Sequence, residues 1–197
     1  MKIKFIYTLL LVVCVSCKAQ KKNEEKSTMK TFDIKTFEKN KNHLNEYIFL
    51  EKDSTKIFQK KRHSEFKEVI ISSNSYFQTI NRYYLSGKFK SSVKYFPNQF
   101  LKGLLKEYDE QGNLIKETNY DAPYKFTWED ILKLIKERKL DMDAYGFLIT
   151  RGTSDNGTAW SITYNKSEED MLLGVIIIDG ITGKIIKEFD EPYPSEE

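Results

Sequence analysis

Between residues 31 and 120 the apolar positions fall into short runs: Tyr47-Ile48-Phe49-Leu50, Val69-Ile70-Ile71 and Tyr76-Phe77-Gln78-Thr79-Ile80. Polar stretches containing Lys52-Asp53-Ser54 or Ser72-Ser73-Asn74 separate them. Runs of this length bounded by turn-forming residues predict an antiparallel β meander. A brief helix is predicted over 34–40, with Asp33 as its cap and a thin apolar stripe. After Asp121-Ala122-Pro123 the period changes. Thr127 followed by Asp130 has the form of a capping box with Asp in place of Glu, and Phe126 and Ile131 occupy the two positions of a hydrophobic staple. A helix therefore starts at Trp128. Trp128, Ile131, Leu132 and Ile135 share one face of it, and Lys133, Lys136, Glu137 and Lys139 the other, so its apolar side must lie against a sheet. Strands are expected over 145–150, 160–164, 171–179 and 184–189. Val175-Ile176-Ile177-Ile178 is apolar at every position and reads as a central strand covered on both faces. Gly180-Ile181-Thr182-Gly183 then turns a hairpin.

The amino terminus follows another pattern. Lys2 and Lys4 precede an apolar stretch over 5–15, interrupted only by Thr8 and closed by Ser16 and Cys17. The stretch is far shorter than the roughly 20 residues a membrane-crossing helix needs, and its charged, apolar, small-residue order is that of an export signal. Residues 18–30 are polar and rich in Lys and Glu, without apolar periodicity, and read as a flexible tether. Initiation at Met29 would delete both segments and stays open as an alternative. Removing Lys2 and Lys4 with the signal takes the formal charge from +3 to +1. A balance so close to neutral gives no electrostatic reason to expect nucleic acid as a partner.

Three resemblances follow from these residues. Cys14-Val15-Ser16-Cys17 resembles the lipobox of bacterial lipoproteins, with Cys14 where that family usually has Leu. The resemblance implies cleavage after residue 16, diacylation of Cys17, and a protein held on a membrane in the bacterial cell envelope, on its periplasmic or outer-membrane face. Two acyl chains on one residue hold a protein firmly. Tyr83-Tyr84-Leu85-Ser86-Gly87-Lys88-Phe89-Lys90 and Glu107-Tyr108-Asp109-Glu110-Gln111-Gly112-Asn113-Leu114-Ile115-Lys116 look like two units of the MORN-variant repeats of antitoxin-like proteins. Their glycines, Gly87 and Gly112, stand 25 positions apart. Finally, a helix followed by 160–164 and then Val175-Ile176-Ile177-Ile178-Asp179-Gly180-Ile181-Thr182-Gly183-Lys184 is similar to the PepSY pattern, which implies an envelope module that restrains peptidases or binds peptides. Turn chemistry alone also accounts for Asp179, Thr182 and Gly183. The expected organisation is a signal over 1–16, lipidated Cys17 and tether over 17–30, a β-rich repeat region over 31–122 and a PepSY-like module over 123–197. The fold class is α+β: an antiparallel β-hairpin repeat region followed by a helix packed on a small antiparallel sheet.

Little in the chain points to catalysis. His43 and His63 lie in no metal-binding spacing, no nucleophile elbow or phosphate-cradling glycine loop is present, and Asp141-Met142-Asp143 and Glu168-Glu169-Asp170 each supply too few oxygens for a calcium loop. No cofactor is expected. Both cysteines leave the mature fold, Cys14 with the signal and Cys17 to lipid. The expected function is non-catalytic binding of an envelope or toxin protein, immunity-like in kind, with regulation of an envelope peptidase as the alternative. The candidate partner-binding residues are Tyr84, Tyr95 and Tyr108, as amphipathic aromatics on a half-exposed sheet, and Arg151, Asp155 and Asn156 in the polar stretch 151–158, read as a loop between strands. The tyrosines serve equally well as repeat-defining core residues, and the stretch as a plain hairpin.

Overall fold

Asp33 sets the first helix. Its carboxylate accepts the Thr36 N–H at 2.9 Å, and α1 runs over Ile34–Asn40 as its cap predicts. The computed structural model describes residues 30–194 apart from 98, 156, 168 and 170. The signal, Cys17 and the tether up to residue 29 lie outside these.

Seven strands follow in a plain meander: β1 (Glu46–Leu50), β2 (Lys56–Lys61), β3 (Glu65–Ile71), β4 (Gln78–Tyr84), β5 (Phe89–Phe96), β6 (Phe100–Tyr108) and β7 (Leu114–Asn119). Each pairs antiparallel with the next, so chain order and sheet order coincide. The turns at the two expected glycines are copies of one another. Gly87 N–H donates to Tyr84 O and Tyr84 N–H to Lys88 O; 25 positions on, Gly112 N–H donates to Asp109 O and Asp109 N–H to Asn113 O. Both glycines have positive φ, 81° and 87°, a conformation that L side chains rarely adopt. The register slip before each turn recurs at the same interval, between Arg82 and Tyr83 and between Glu107 and Tyr108.

Helix α2 spans Trp128–Arg138 and opens with the capping box: Thr127 Oγ1 accepts the Asp130 N–H, and Asp130 accepts the Thr127 N–H. Lys139, in left-handed geometry, closes it. Strands β8 (Leu148–Ser154), β9 (Gly157–Ser167), β10 (Leu172–Asp179) and β11 (Ile185–Pro192) form a second antiparallel sheet in the order β11-β10-β9-β8. The all-apolar segment does take an interior position, β10. Two antiparallel sheets with two helices make an α+β fold in which strands predominate.

Of the two readings of 151–158 the structure shows the hairpin: β8 stays paired with β9 from Leu148↔Thr163 to Ser154↔Gly157. The strand expected over 145–150 accordingly begins and ends later. Backbone pairing to a long neighbouring strand outweighs the polar, glycine-containing composition that reads as a loop.

The largest buried cluster draws on both halves of the chain. Trp128, Ile131 and Ile135 of α2 share it with Ile149, Trp160, Ile162, Ile176 and Ile178 of the second sheet, and Phe100 of β6 is buried among them, with Phe77 and Phe96 packed at its edge. The Phe100 and Trp160 rings meet edge to face at 5.4 Å. Residues 123–197 therefore do not hold this core alone.

Candidate binding surface

In an antiparallel sheet, directly opposed residues share a face, and each strand alternates between faces. The register of the seven-stranded sheet thus separates its side chains into two sets. One face carries α1: Phe37 and Phe32 pack on Phe66 and Tyr83, with Phe32 stacked on Phe66 at 4.4 Å. On this face Glu68 accepts hydrogen bonds from Gln59 Nε2, Asn81 Nδ2 and Tyr83 OH at 2.9, 3.0 and 3.0 Å. Burial first, and the Glu68 charge second, push the Tyr83 phenol well above its ordinary pKa. An open groove of about 600 Å³ continues past β5 and β6, lined by Thr79, Ser92, Lys94, Lys102, Lys106 and Tyr108. Two of its three lysines are already paired, Lys102 with Glu129 at 2.9 Å and Lys106 with Glu117 at 3.5 Å.

The opposite face is organised in rows. Ile48, Phe58, Val69, Ile80 and Val93 stand opposite one another across β1 to β5. Val69, Ile80 and Val93 are only 8, 9 and 9% exposed. The other members of their cluster are Phe58, Ile71, Tyr95, Leu101, Leu105 and Tyr120, all from the same sheet or the residue after β7. Among the described residues, no apolar group of α1, α2 or the second sheet joins them. The apolar row is thus closed over largely by its own neighbours, with no apolar second layer among the described residues.

Beside it runs a charged row, two residues along each strand: Glu46, Lys60, Lys67, Arg82, Ser91, Glu107 and Lys116. Three cations, Lys60, Lys67 and Arg82, face one another directly, an arrangement that opposes folding. Glu46 holds Lys60 at 2.7 Å. Glu65, itself buried, holds Arg82 at 2.7 Å and Lys90 at 3.0 Å. Lys67 has neither a salt bridge nor a hydrogen bond to its side chain among the described residues. Its pKa is lowered, first by burial and then by the charges of Arg62 and Arg82.

The sequence-derived candidates separate in space. Tyr84 and Tyr95 lie on the recessed face, where Lys90 sits 5.5 Å above the Tyr84 ring. The Tyr84 hydroxyl donates to Tyr108 O at 2.7 Å. Tyr108 packs on Phe89 and lines the groove on the other side. Asp155 is exposed at the β8–β9 turn, and Asn156 and Cys17 lie outside the described residues. Arg151 is not a loop residue. Its side chain is 5% exposed, pairs with Asp121 at 2.9 Å, donates to Leu101 O, and lies 4.7, 4.7 and 5.2 Å from the rings of Phe100, Tyr124 and Trp160. It ties β8 to β6 and to the segment that precedes α2. Asp179 likewise builds its own turn, accepting from Ile181 N, Thr182 N and Thr182 Oγ1. A Cβ on Gly183 would land on the Phe126 ring.

Sequence reading missed Lys60, Lys67, Arg82 and Glu65. Their period-two spacing from Phe58, Val69 and Ile80 was visible, but only the strand register sets them in one row. Comparison of the chain with protein-family models, with curated proteins and with solved structures returned no match.

Proposed function

We propose that this chain is a lipid-anchored protein of the bacterial cell envelope that acts by binding another protein, in the manner of an immunity or antitoxin module, and performs no chemistry of its own. In this reading Cys17 carries the lipid, residues 18–30 form the tether, the hairpins of 31–122 form a repeat region, and 123–197 form a module in which α2 packs on the four-stranded sheet. The recurrence of turn, glycine and register slip at 25 positions supports the repeat assignment. The observation that carries the binding function is the open β1 end of the recessed face, where Ile48 and Leu50 are 53 and 68% exposed with Phe58 beside them. Apolar side chains grouped in the open mark interaction sites. The peptidase-regulator alternative draws on Asp179, Thr182 and Gly183, and these are engaged in building a turn, so the sheet face is the better-supported site.

Two measurements test the proposal. The intact mass of the protein from its own cells is expected to correspond to a chain starting at Cys17 with acyl groups added; an unacylated chain retaining residues 1–16 would remove the anchor. A photo-crosslinking residue at Tyr95 of the full-length protein is expected to form an adduct with another protein in those cells, while the same residue at Ile186 of β11 forms none. Equal yields, or none at either position, would remove the binding face.

A further inference from the structure

A pocket of about 340 Å³ lies between the two halves of the chain. Tyr76, Phe96 and Pro97 line it from the segments around β4 and β5, and Met142, Asp143 and Phe147 from the stretch that joins α2 to β8. Two of its rings are braced from behind. Phe96 packs on Phe100 and Trp128 with centroids 5.2 and 5.1 Å away, and Tyr76 stands edge-on to Trp128 at 5.8 Å while 53% exposed. The one charged residue in the lining is Asp143. It is exposed, and among the described residues its carboxylate has neither a salt bridge nor a hydrogen bond. Asp141, whose Oδ1 accepts the Asp143 N–H at 2.9 Å, adds a second negative charge to the same turn.

Aromatic rings attract a cation, and a carboxylate beside them adds a charge-assisted hydrogen bond. A guanidinium uses both at once: it is planar, stacks on rings and forks onto a carboxylate, whereas an ammonium is a strongly hydrated point charge. The interior of this molecule already shows that chemistry. Arg151 pairs with Asp121 and lies 4.7, 4.7 and 5.2 Å from the rings of Phe100, Tyr124 and Trp160. The pocket presents the same set at the surface, three rings and one carboxylate, with no lysine or arginine among its described lining residues.

We propose that this pocket receives an arginine side chain of a partner protein, with the guanidinium against Asp143 and the rings and the methylene stem along Pro97 and Met142. The site is separate from the β1 end of the recessed face, and the inference rests on the protein-binding function proposed above. The size of the pocket selects a side chain. Its volume is at the small end of ligand sites and it is open to solvent, so a free metabolite would stay largely in water. The rest of the contact must come from the macromolecule that carries the arginine. Asp141 and Asp143 together repel the phosphates of nucleic acid and lipid.

The test begins with the full-length protein and nuclear magnetic resonance. The chain has two tryptophans and so two indole N–H signals. Trp128 touches the pocket rings, and Trp160, whose Nε1–H donates to Phe126 O, serves as the internal reference. Nα-acetyl-arginine amide is expected to shift the Trp128 signal saturably and to leave that of Trp160 nearly unmoved. The neutral isostere Nα-acetyl-citrulline amide is expected to bind about fivefold more weakly, and Nα-acetyl-lysine amide about threefold more weakly. Asp143→Asn is expected to weaken the arginine probe about fivefold, and Tyr76→Leu about threefold. Both positions are exposed, so circular dichroism is expected to show an unchanged fold. Equal binding of the arginine and citrulline probes, binding of the lysine probe as tight as that of arginine, or indifference to Asp143→Asn would overturn the proposal while leaving protein binding standing. The second arm places a photo-crosslinking residue at Leu148, 38% exposed in the pocket lining, in the protein's own cells. An adduct whose partner peptide contains arginine, and whose yield falls about fivefold with Asp143→Asn, is expected. An arginine-probe response without any protein adduct at Leu148 would assign the pocket to a free organic cation and overturn the proposal. Absence of adducts at both Leu148 and Tyr95 would overturn the protein-binding function with it.

Discussion

The two sheets use similar alternating sequences and reach different ends. In the four-stranded sheet Ile149, Trp160, Ile162, Ile176 and Ile178 lie against Trp128, Ile131 and Ile135 of α2 and are fully enclosed. In the seven-stranded sheet Val69, Ile80 and Val93 occupy central positions whose apolar neighbours, among the described residues, come from the same sheet and from Tyr120 just after β7. Residual exposure alone hardly distinguishes the two groups. The difference lies in what surrounds them: a second layer in one case and flanking long side chains in the other. Low exposure is thus reached in two ways, under a second layer in one sheet and, among the described residues, between side chains of the same face in the other.

The largest expected effect comes from breaking the enclosed side of this comparison. Trp160→Ala removes a fully buried indole that also donates to Phe126 O at 2.9 Å, and is expected to lower unfolding free energy by about 3–5 kcal/mol in urea titration. Val69→Ala on the recessed face is expected to lose less than half of that, since it removes two methyl groups from a row that has no apolar second layer among the described residues. Equal losses would mean that the recessed face is ordinary core.

Arg151→Ala comes next, and probes the tie between the two regions. It leaves Asp121 without its cation and removes the guanidinium from among three rings. The expected loss is about 2–3 kcal/mol, below that of a pair buried on both sides because Asp121 keeps contact with water. If separate unfolding transitions were to appear for residues 31–122 and 123–197 by hydrogen exchange in this variant, the single enclosed cluster would be holding the halves together largely through this residue. If the loss were under half a kcal/mol, the tie would be dispensable.

Asp130→Asn is the smallest change and sharpens the local side of the comparison. The Thr127 backbone and side chain hold the Asp130 carboxyl at a pKa of about 2, below its ordinary 3.8. A lowered carboxylate pKa stabilises the fold at pH above the unfolded value, and that stabilisation is lost as pH falls from 3.8 through about 2. The variant is expected to show less acid destabilisation across that window and, after allowance for solvent screening, a loss of about 0.5–1 kcal/mol at neutral pH. An unchanged acid-unfolding profile would show that the capping box carries no measurable share.

These contrasts separate what was legible in the chain from what was not. Both helix starts, both glycine turns and the hairpin at Asp179 to Lys184 were readable because each depends on groups within about four residues of one another, whose geometry the covalent chain constrains. The hairpin at 151–158 was one of two readings the sequence left open, because the strand pairing to β9 that runs through it supplies hydrogen bonds that no local signal announces. Arg151 was placed on the surface for the same reason: its partners, Asp121, Phe100 and Leu101, lie 30 to 51 positions away. The row Lys60–Lys67–Arg82 has parts that the sequence contains and an order that it does not show. A one-residue slip in any pairing would send those cations to the other face. The residues and their periods were determined by the sequence alone; which of them meet, and which meet nothing, was decided only when long-range register and the position of α2 chose the faces to be covered.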